Sequence, residues 1–172
     1  MLRLVKAFCD LALWRISPAQ LPASVFLLAL AAAIVALIEV AGALVPPPAP
    51  ESIPSRILLS AGLPIGWAWG VLRLANRRER FLQTASALLG VGALALLVLY
   101  PLDWLSQKVG AEHPIAVPLV FAWLIALVWY MLACAHIWRA ALESRLVLGV
   151  AVSMGYLLLW MLLEQALLTE PK

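Results

Sequence analysis

Charged residues are scarce in this chain of 172 residues. Only 12% of the residues are charged and 65% are hydrophobic, and the mean hydropathy is +1.01. Soluble globular domains carry about twice that share of charge, so a soluble fold would leave a large apolar surplus facing water. The composition therefore excludes an ordinary soluble domain and indicates an integral membrane protein, whose chemistry has to sit in spans or short connections.

Catalytic and cofactor motifs are also missing. The sequence has no HExxH, no glycine-rich phosphate loop, no GxSxG and no CxxC. Its two cysteines, Cys9 and Cys134, are predicted to face the same reducing compartment, which argues against a structural disulfide. Cys134 and His136 with a distant Cys9 make a weak metal-ligand set, and packing explains them better. We expect no catalytic site, no cofactor and no metal.

Five apolar stretches are each close to the length that crosses a bilayer. About 20 helical residues span a hydrocarbon core of about 30 Å, and the alternating pattern of a closed barrel is missing. We expect a single transmembrane domain over residues 1–172, an all-α bundle of five transmembrane helices. The predicted spans are 24–45, 57–74, 81–100, 115–138 and 146–168. The second is short and contains Pro64, so its main alternative is a re-entrant hairpin.

The basic residues lie in alternate connections. Nine of the twelve precede the first span or lie between the second and third and between the fourth and fifth spans; the others are Arg56, Lys108 and Lys172. Because Lys and Arg in short loops favour the cytoplasmic side, this distribution predicts a cytoplasmic N-terminus and a C-terminus on the outer side. Anionic membrane lipid explains the inner arginines better than nucleic acid does, so no nucleic-acid partner is expected.

Residues 1–17 form a leader ahead of the first span. One helical face is apolar and the opposite face is polar, which predicts an amphipathic helix that ends before Pro18 and Pro22. Such a helix can lie in the membrane interface or cover the cytoplasmic end of the bundle, and both alternatives stay open. The apolar face holds Leu4, Val5, Phe8, Leu11 and Ala12, and the polar face holds Arg3, Lys6 and Asp10.

Two outer connections differ in character. The proline-rich segment 46–54 is predicted to be extended and to act as a stiff spacer. The segment 101–114 is the longest and most polar connection, and it contains Asp103, Glu112 and His113. Recognition outside the membrane would use this second loop.

Two acidic residues lie within predicted spans. Glu39 and Glu164 each lie within two turns of the outer end of a span, and Arg56 begins the second span at the same level. Ionisable groups in spans are costly and are functional candidates by default. One interpretation is a protonatable outer vestibule of a transporter or channel. The other is interhelical pairing with Arg56 and partial hydration.

Small and polar residues predict where helices meet. Gly62, Gly66 and Gly70 form a stripe on the second span, and Ser86 with Gly90 repeats the pattern on the third. Such stripes permit close helix contacts, so we expect packing within the bundle, with dimerisation as the alternative. At the inner end of the third span, polar side chains are predicted to hydrogen-bond across the bundle; the residues concerned are Gln83, Thr84, His136 and Arg139.

Three segments carry a family resemblance. LWRISPAQLPAS before the first span, RFLQTASALLG at the third and WLIALVWYMLACAHIWRAALE in the fourth resemble the Yip1-like family of small bacterial inner-membrane proteins. The resemblance implies a five-helix domain with a cytoplasmic N-terminus. Eukaryotic members are non-enzymatic trafficking factors that bind small GTPases. The long cytoplasmic N-terminal region of those members is lacking here, so that activity is not expected.

Two functions are compatible with these features. The first is a non-enzymatic scaffold, accessory subunit or membrane-organising factor, whose partners are membrane lipids and another membrane protein or a second copy. The alternative is a small oligomeric transporter or channel that uses Glu39, Glu164 and Arg56 at an acidic outer vestibule. An enzyme that acts on lipid through His136 and Arg139 is not expected, because a nucleophile or metal set on the same face is missing.

Overall fold

A computed structural model describes residues 2–43, 52–109 and 112–168. These residues form helices and no strand. The helices are α1 (Leu2–Ala12), α2 (Val25–Gly42), α3 (Ser52–Ile57), α4 (Leu63–Leu74), α5 (Phe81–Lys108), α6 (Ala116–Leu142) and α7 (Leu146–Leu168). Short 3₁₀ turns cover Pro18–Gln20 and Arg78–Arg80, and a π-helical turn, Leu58–Gly62, joins α3 to α4.

Within the described residues, five helical segments are long and apolar enough to cross a membrane. They are Val25–Gly42, Ile53–Leu74, Arg78–Lys108, Ala116–Leu142 and Leu146–Ala166. Large apolar side chains on their outer faces, such as Phe26, Ile125 and Val147, are exposed, as lipid-facing residues are. The protein is an all-α, multi-pass membrane protein.

The second span is one continuous helical segment, Ile53–Leu74, and has no re-entrant hairpin. Pro64 lacks the N–H that would bond the carbonyl of Ser60. The π-helical turn before it wraps the chain more widely, so that the N–H of Leu63 bonds the carbonyl of Leu58. The Ser60 hydroxyl donates to the carbonyl of Arg56 at 2.5 Å. Such local adjustments are how spans tolerate proline.

Both connections that the sequence predicts on the outer side are shorter than predicted. The proline-rich segment was expected to stay extended to Pro54, but α3 begins at Ser52; Pro54 lies in the first turn, where helical N–H groups have no partner anyway. Residues 46–51 lie outside the described residues. The helix α5 runs past Pro101 to Lys108, so the first half of the predicted 101–114 loop is helical.

The helix α5 is the centre of the bundle. It packs against α1, α2, α4 and α6, and the continuous run from Thr84 to Val91 is buried. A helix that is buried all round needs neighbours on every side. The small side chains in this run let those neighbours approach closely.

The helices α6 and α7 cross at Gly149. A Cβ atom there would lie 2.2 Å from the carbonyl oxygen of Ala135, so only glycine fits. The sequence stripes did not identify this glycine.

The leader packs into the side of the bundle. The Phe8 ring lies on Gly90, where a Cβ would come within 2.2 Å of Phe8 Cδ1, and Leu11 and Ala12 are buried. Trp129 Nε1 donates to the Ala12 carbonyl at 3.1 Å. Because Gly90 and Trp129 lie well inside α5 and α6, the leader reaches into the bundle instead of only covering its end.

Candidate functional site

The bundle has two chemically different ends. At the acidic end, which we define by Glu39, Arg56, Asp103 and Glu164, charged groups surround a cavity. At the basic end, the α4–α5 connection with Arg77 and Arg80 meets the α6–α7 connection with Glu143. The ends are opposite because successive spans alternate in direction.

Glu39 is held by groups from two other helices. The whole residue is only 3% exposed, and Arg56 Nε lies 3.8 Å from Glu39 Oε2. The Tyr100 hydroxyl donates a hydrogen bond to the same oxygen. An unpaired carboxylate at this depth would cost several kcal/mol, so the pair and the hydrogen bond offset the cost of burying it. The sequence predicts that Glu39 or Glu164 pairs with Arg56, and in the structure the partner is Glu39.

Glycine makes this arrangement fit. Gly42 lies one turn after Glu39 on α2, and a Cβ at position 42 would come within 2.6 Å of Tyr100 Cε2. The ring of Tyr100 therefore lies directly on the α2 backbone. This close contact brings the phenol hydroxyl to the Glu39 carboxylate.

The cavity has a volume of about 290 Å³ and takes side chains from every spanning segment. Its size is at the lower end of the range for small-molecule sites, about 300–1,000 Å³. Leucines and Met161 supply aliphatic wall, and five aromatic rings supply most of the remaining apolar surface. The aromatic residues are Tyr100, Trp123, Tyr130, Tyr156 and Trp160.

Asp103 and Glu164 each lie beside an indole that also lines the cavity. Trp160 Nε1 donates to Glu164 Oε2 at 3.2 Å, and the Trp123 side chain lies close to Asp103. Among the described residues that line the cavity, three are carboxylates and one, Arg56, is a cation. Because Arg56 pairs with Glu39, the cavity keeps an excess of negative charge near Asp103 and Glu164.

Sequence reasoning missed Tyr100 and the aromatic wall, and it placed Asp103 in a loop and not beside Glu39 and Glu164. The sequence predicts that the third span ends at residue 100, whereas α5 continues to Lys108 and brings Asp103 to the cavity. The available signal was the spacing of Tyr100 and Asp103, which places both on one face if the helix continues.

The deep end of the cavity is aromatic and hydroxyl-bearing. The Tyr156 ring lies 6.4 Å from Trp67 and 6.3 Å from Trp160, centroid to centroid. The Tyr130 side chain lies close to Tyr156 and to the buried Cys134. Cys134 is thus part of the packing beneath the cavity.

The Cys9, Cys134 and His136 set does not assemble. His136 Nε2 lies 3.2 Å from the carbonyl oxygen of Ile16, while Cys134 contacts Tyr130. In the part of the chain that the structure describes, no three His, Cys, Asp or Glu side chains converge as metal ligands, and this includes the carboxylates of the cavity.

The polar contacts predicted at the start of α5, near the basic end, have different partners. Gln83 was expected to bond His136 or Arg139, but its Nε2 donates to the carbonyls of Ala19 at 3.2 Å and Leu21 at 2.9 Å. The linker between α1 and α2 is irregular, so its carbonyls need donors from elsewhere.

The remaining polar residues at this end have separate environments. Thr84 is buried in the core, and the Arg139 side chain is exposed. These two residues and His136 therefore do not form one site with Gln83.

The glycine stripe of the second span faces outward. A Cβ added at Gly66 or Gly70 would meet nothing within 4 Å, and one at Gly62 would meet only Leu58 of its own helix. The prediction that this stripe packs within the bundle is therefore wrong. By contrast, Gly90 and Ser86 are buried, and Gly90 accommodates the leader rather than another span.

The basic end is closed by a carboxylate between two arginines. Arg77 Nη1 donates to Glu143 Oε2 at 2.5 Å, and Arg80 donates to Glu143 Oε1. Arg80 also donates to the carbonyl of Ala140 at 2.8 Å. Hydrogen bonds from Arg77 and Arg80 lower the pKa of Glu143.

Compared with known proteins, the chain matches no family model, no curated protein and no solved structure. The likeness to the Yip1-like family therefore stays a resemblance.

Proposed function

We propose that this protein binds a small solute in the cavity at its acidic end and carries it across the membrane. The cavity is the observation that carries the proposal. It is concave, largely apolar and lined by a few converging polar groups, which is how small-molecule sites are built. It also lies between all five spanning segments, so a change in their packing would alter access to it. The proposal involves no catalytic chemistry.

The packing of the bundle supports access from one side at a time. Arg56, Asp103 and Glu164 are partly or fully exposed at the acidic end. Toward the basic end, the buried run of α5 and the docked leader fill the bundle. A solute site open to one side is one state of an alternating-access cycle, in which elements move around a central site.

A cavity-filling variant tests the binding part of this proposal. A panel of small cationic, neutral and anionic solutes is screened for a rise in the thermal unfolding midpoint, because a ligand that binds the native state stabilises it. Leu96→Trp should abolish the rise, since Leu96 lines the cavity. Leu97→Trp is the matched control, because Leu97 is exposed on the next position of the same helix. A stabilising solute that acts equally on Leu96→Trp would refute the assignment of the cavity.

We also propose a bacterial inner-membrane location with the basic end in the cytoplasm. The support is that arginines of two connections lie together at that end, as the positive-inside rule requires. An impermeant thiol reagent added to spheroplasts should label Ser106→Cys and not Glu79→Cys, both made in a background without Cys9 and Cys134. Labelling of Glu79→Cys and not of Ser106→Cys would show that the basic end faces outward.

A second candidate function, a scaffold or accessory subunit, is favoured by the outward glycine stripe of α4. Gly66 and Gly70 leave room for a neighbouring membrane helix, as small residues do at helix contacts. This function predicts that Gly66→Leu with Gly70→Leu removes a co-purifying protein or a second copy. Co-purification that is unchanged in this double variant would exclude a scaffold function that uses the stripe.

A further inference from the structure

We infer that the solute is a small organic cation, bound between the Asp103 and Glu164 carboxylates and the indole rings beside them. This inference rests on the proposed function, because it identifies the chemical class of the ligand of the same cavity. It depends on three features of the cavity: its charge, its walls and the spacing of its carboxylates.

The charge of the cavity selects against anions. Arg56 is the cation among the described lining residues, and it is already paired with Glu39. An anion would have to break that pair and approach two further carboxylates. A cation meets Asp103 and Glu164; among the described residues neither carboxylate forms an ion pair, and Arg56 acts on Asp103 only from farther away than it does on Glu39.

The walls of the cavity select an organic cation. Trp123, Trp160 and three tyrosines line the space, and aromatic faces attract alkylammonium groups. The aliphatic surface from residues such as Leu99, Leu127 and Leu157 favours an apolar body attached to the charge. A strongly hydrated inorganic ion would gain little from such surroundings.

The spacing of the carboxylates argues in the same direction. The described acidic side chains do not converge as a metal-ligand group. Divalent cations need several oxygen ligands at about 2–2.6 Å. A diffuse positive charge such as a quaternary ammonium needs no such convergence, because it is attracted by carboxylates and rings at longer range.

Three probes of similar shape test the inference. They are benzyltrimethylammonium, its uncharged isostere 2,2-dimethylpropylbenzene, and the anion phenylmethanesulfonate. Binding is measured by calorimetry on the full chain in nanodiscs of zwitterionic lipid, with empty nanodiscs as the background. Benzyltrimethylammonium should bind at least tenfold more tightly than the other two.

Two single variants and one control variant assign the charge. Asp103→Asn and Glu164→Gln should each weaken binding of the cation by about tenfold, as expected for removing one nearby charge in a partly hydrated site. Glu79→Gln, exposed at the basic end, is the control variant and should bind as the wild type does.

The outcomes separate this inference from the proposed function. If the neutral or anionic probe binds as tightly as the cation and Leu96→Trp abolishes that binding, the cavity binds a solute but the inference about charge is overturned. An affinity for the cation that is the same in Asp103→Asn, in Glu164→Gln and in the wild type also overturns it. If none of the three probes binds, the inference is overturned, and the solute panel with Leu96→Trp decides the binding function on its own.

Discussion

The ring of Tyr100 lies on Gly42, and this contact places the Tyr100 hydroxyl on the buried carboxylate of Glu39. The contact joins α2 to α5 at the acidic end of the bundle. It explains how a carboxylate can remain almost fully buried within a membrane-spanning helix. The geometry of the cavity wall therefore depends on the absence of a side chain at position 42.

Gly42→Ala should destabilise the protein by about 1–3 kcal/mol, the usual cost of inserting an atom into a filled site. The added Cβ would displace the Tyr100 ring and remove the hydrogen bond to Glu39. The measurement is the thermal unfolding midpoint in mild detergent. Gly66→Ala is the matched control, since nothing lies within 4 Å of its Cβ position; equal midpoints for both variants would refute the role of the contact.

Arg56→Gln should lower the free energy of unfolding by about 2 kcal/mol, because it leaves Glu39 buried without its cation. The value is below that of a fully buried pair, since the Arg56 side chain is 35% exposed. Adding Glu39→Gln should restore part of the loss, because neighbouring groups are not additive. Stability of the double variant equal to the sum of the two single losses would show that the pair has no coupling.

Gly90→Leu should release the leader, because Phe8 occupies the space of the added side chain. Cys9 is half-buried on the leader, whereas Cys134 is buried in the core. The modification rate of Cys9 by a maleimide in a Cys134→Ala background should therefore rise several-fold. Gly70→Leu, with open space around it, should leave the rate unchanged. A modification rate in Gly90→Leu equal to that of the protein with Gly90 would contradict docking of the leader through this contact.

Acid should destabilise the protein by weakening the ion pairs of Glu143 at the basic end. Its pKa is lowered in the folded protein by Arg77 and Arg80, so the unfolded state binds the proton more tightly. The stabilisation is present above the ordinary pKa of the carboxyl group, about 4.3, and is lost as the pH falls through the lowered folded value. The unfolding midpoints of the wild type and Glu143→Gln should differ at pH 7 and converge in strong acid. A difference that stays constant with pH would refute the role of the charge.

The positions of the spans could be predicted from the sequence because helix length in a bilayer is fixed by hydrophobic thickness. The predicted fifth span, 146–168, coincides with α7, and the alternation of basic connections agrees with five crossings. The length of α5 could not be predicted, because Pro101 lies inside it. A proline ends most helices in soluble proteins but is tolerated inside membrane spans, so its presence does not tell where the helix ends. Hydropathy alone therefore placed Asp103 in a loop.

The candidate site could be predicted only in part. Glu39 and Arg56 stood out because charges in spans are rare, and the structure brings them together. The aromatic wall and the leader contact on Gly90 depend on which helix faces meet. Apolar spans carry little amphipathic signal of orientation, so such contacts between distant residues were not accessible from spacing alone.

The most direct test of the account is native mass spectrometry of the full chain extracted in mild detergent. We predict a bound small molecule in a one-to-one complex with the wild type and with Leu97→Trp, and its loss in Leu96→Trp. An adduct retained by Leu96→Trp, or a stoichiometric protein partner in place of any small molecule, would contradict the claim that the acidic-end cavity is the functional site.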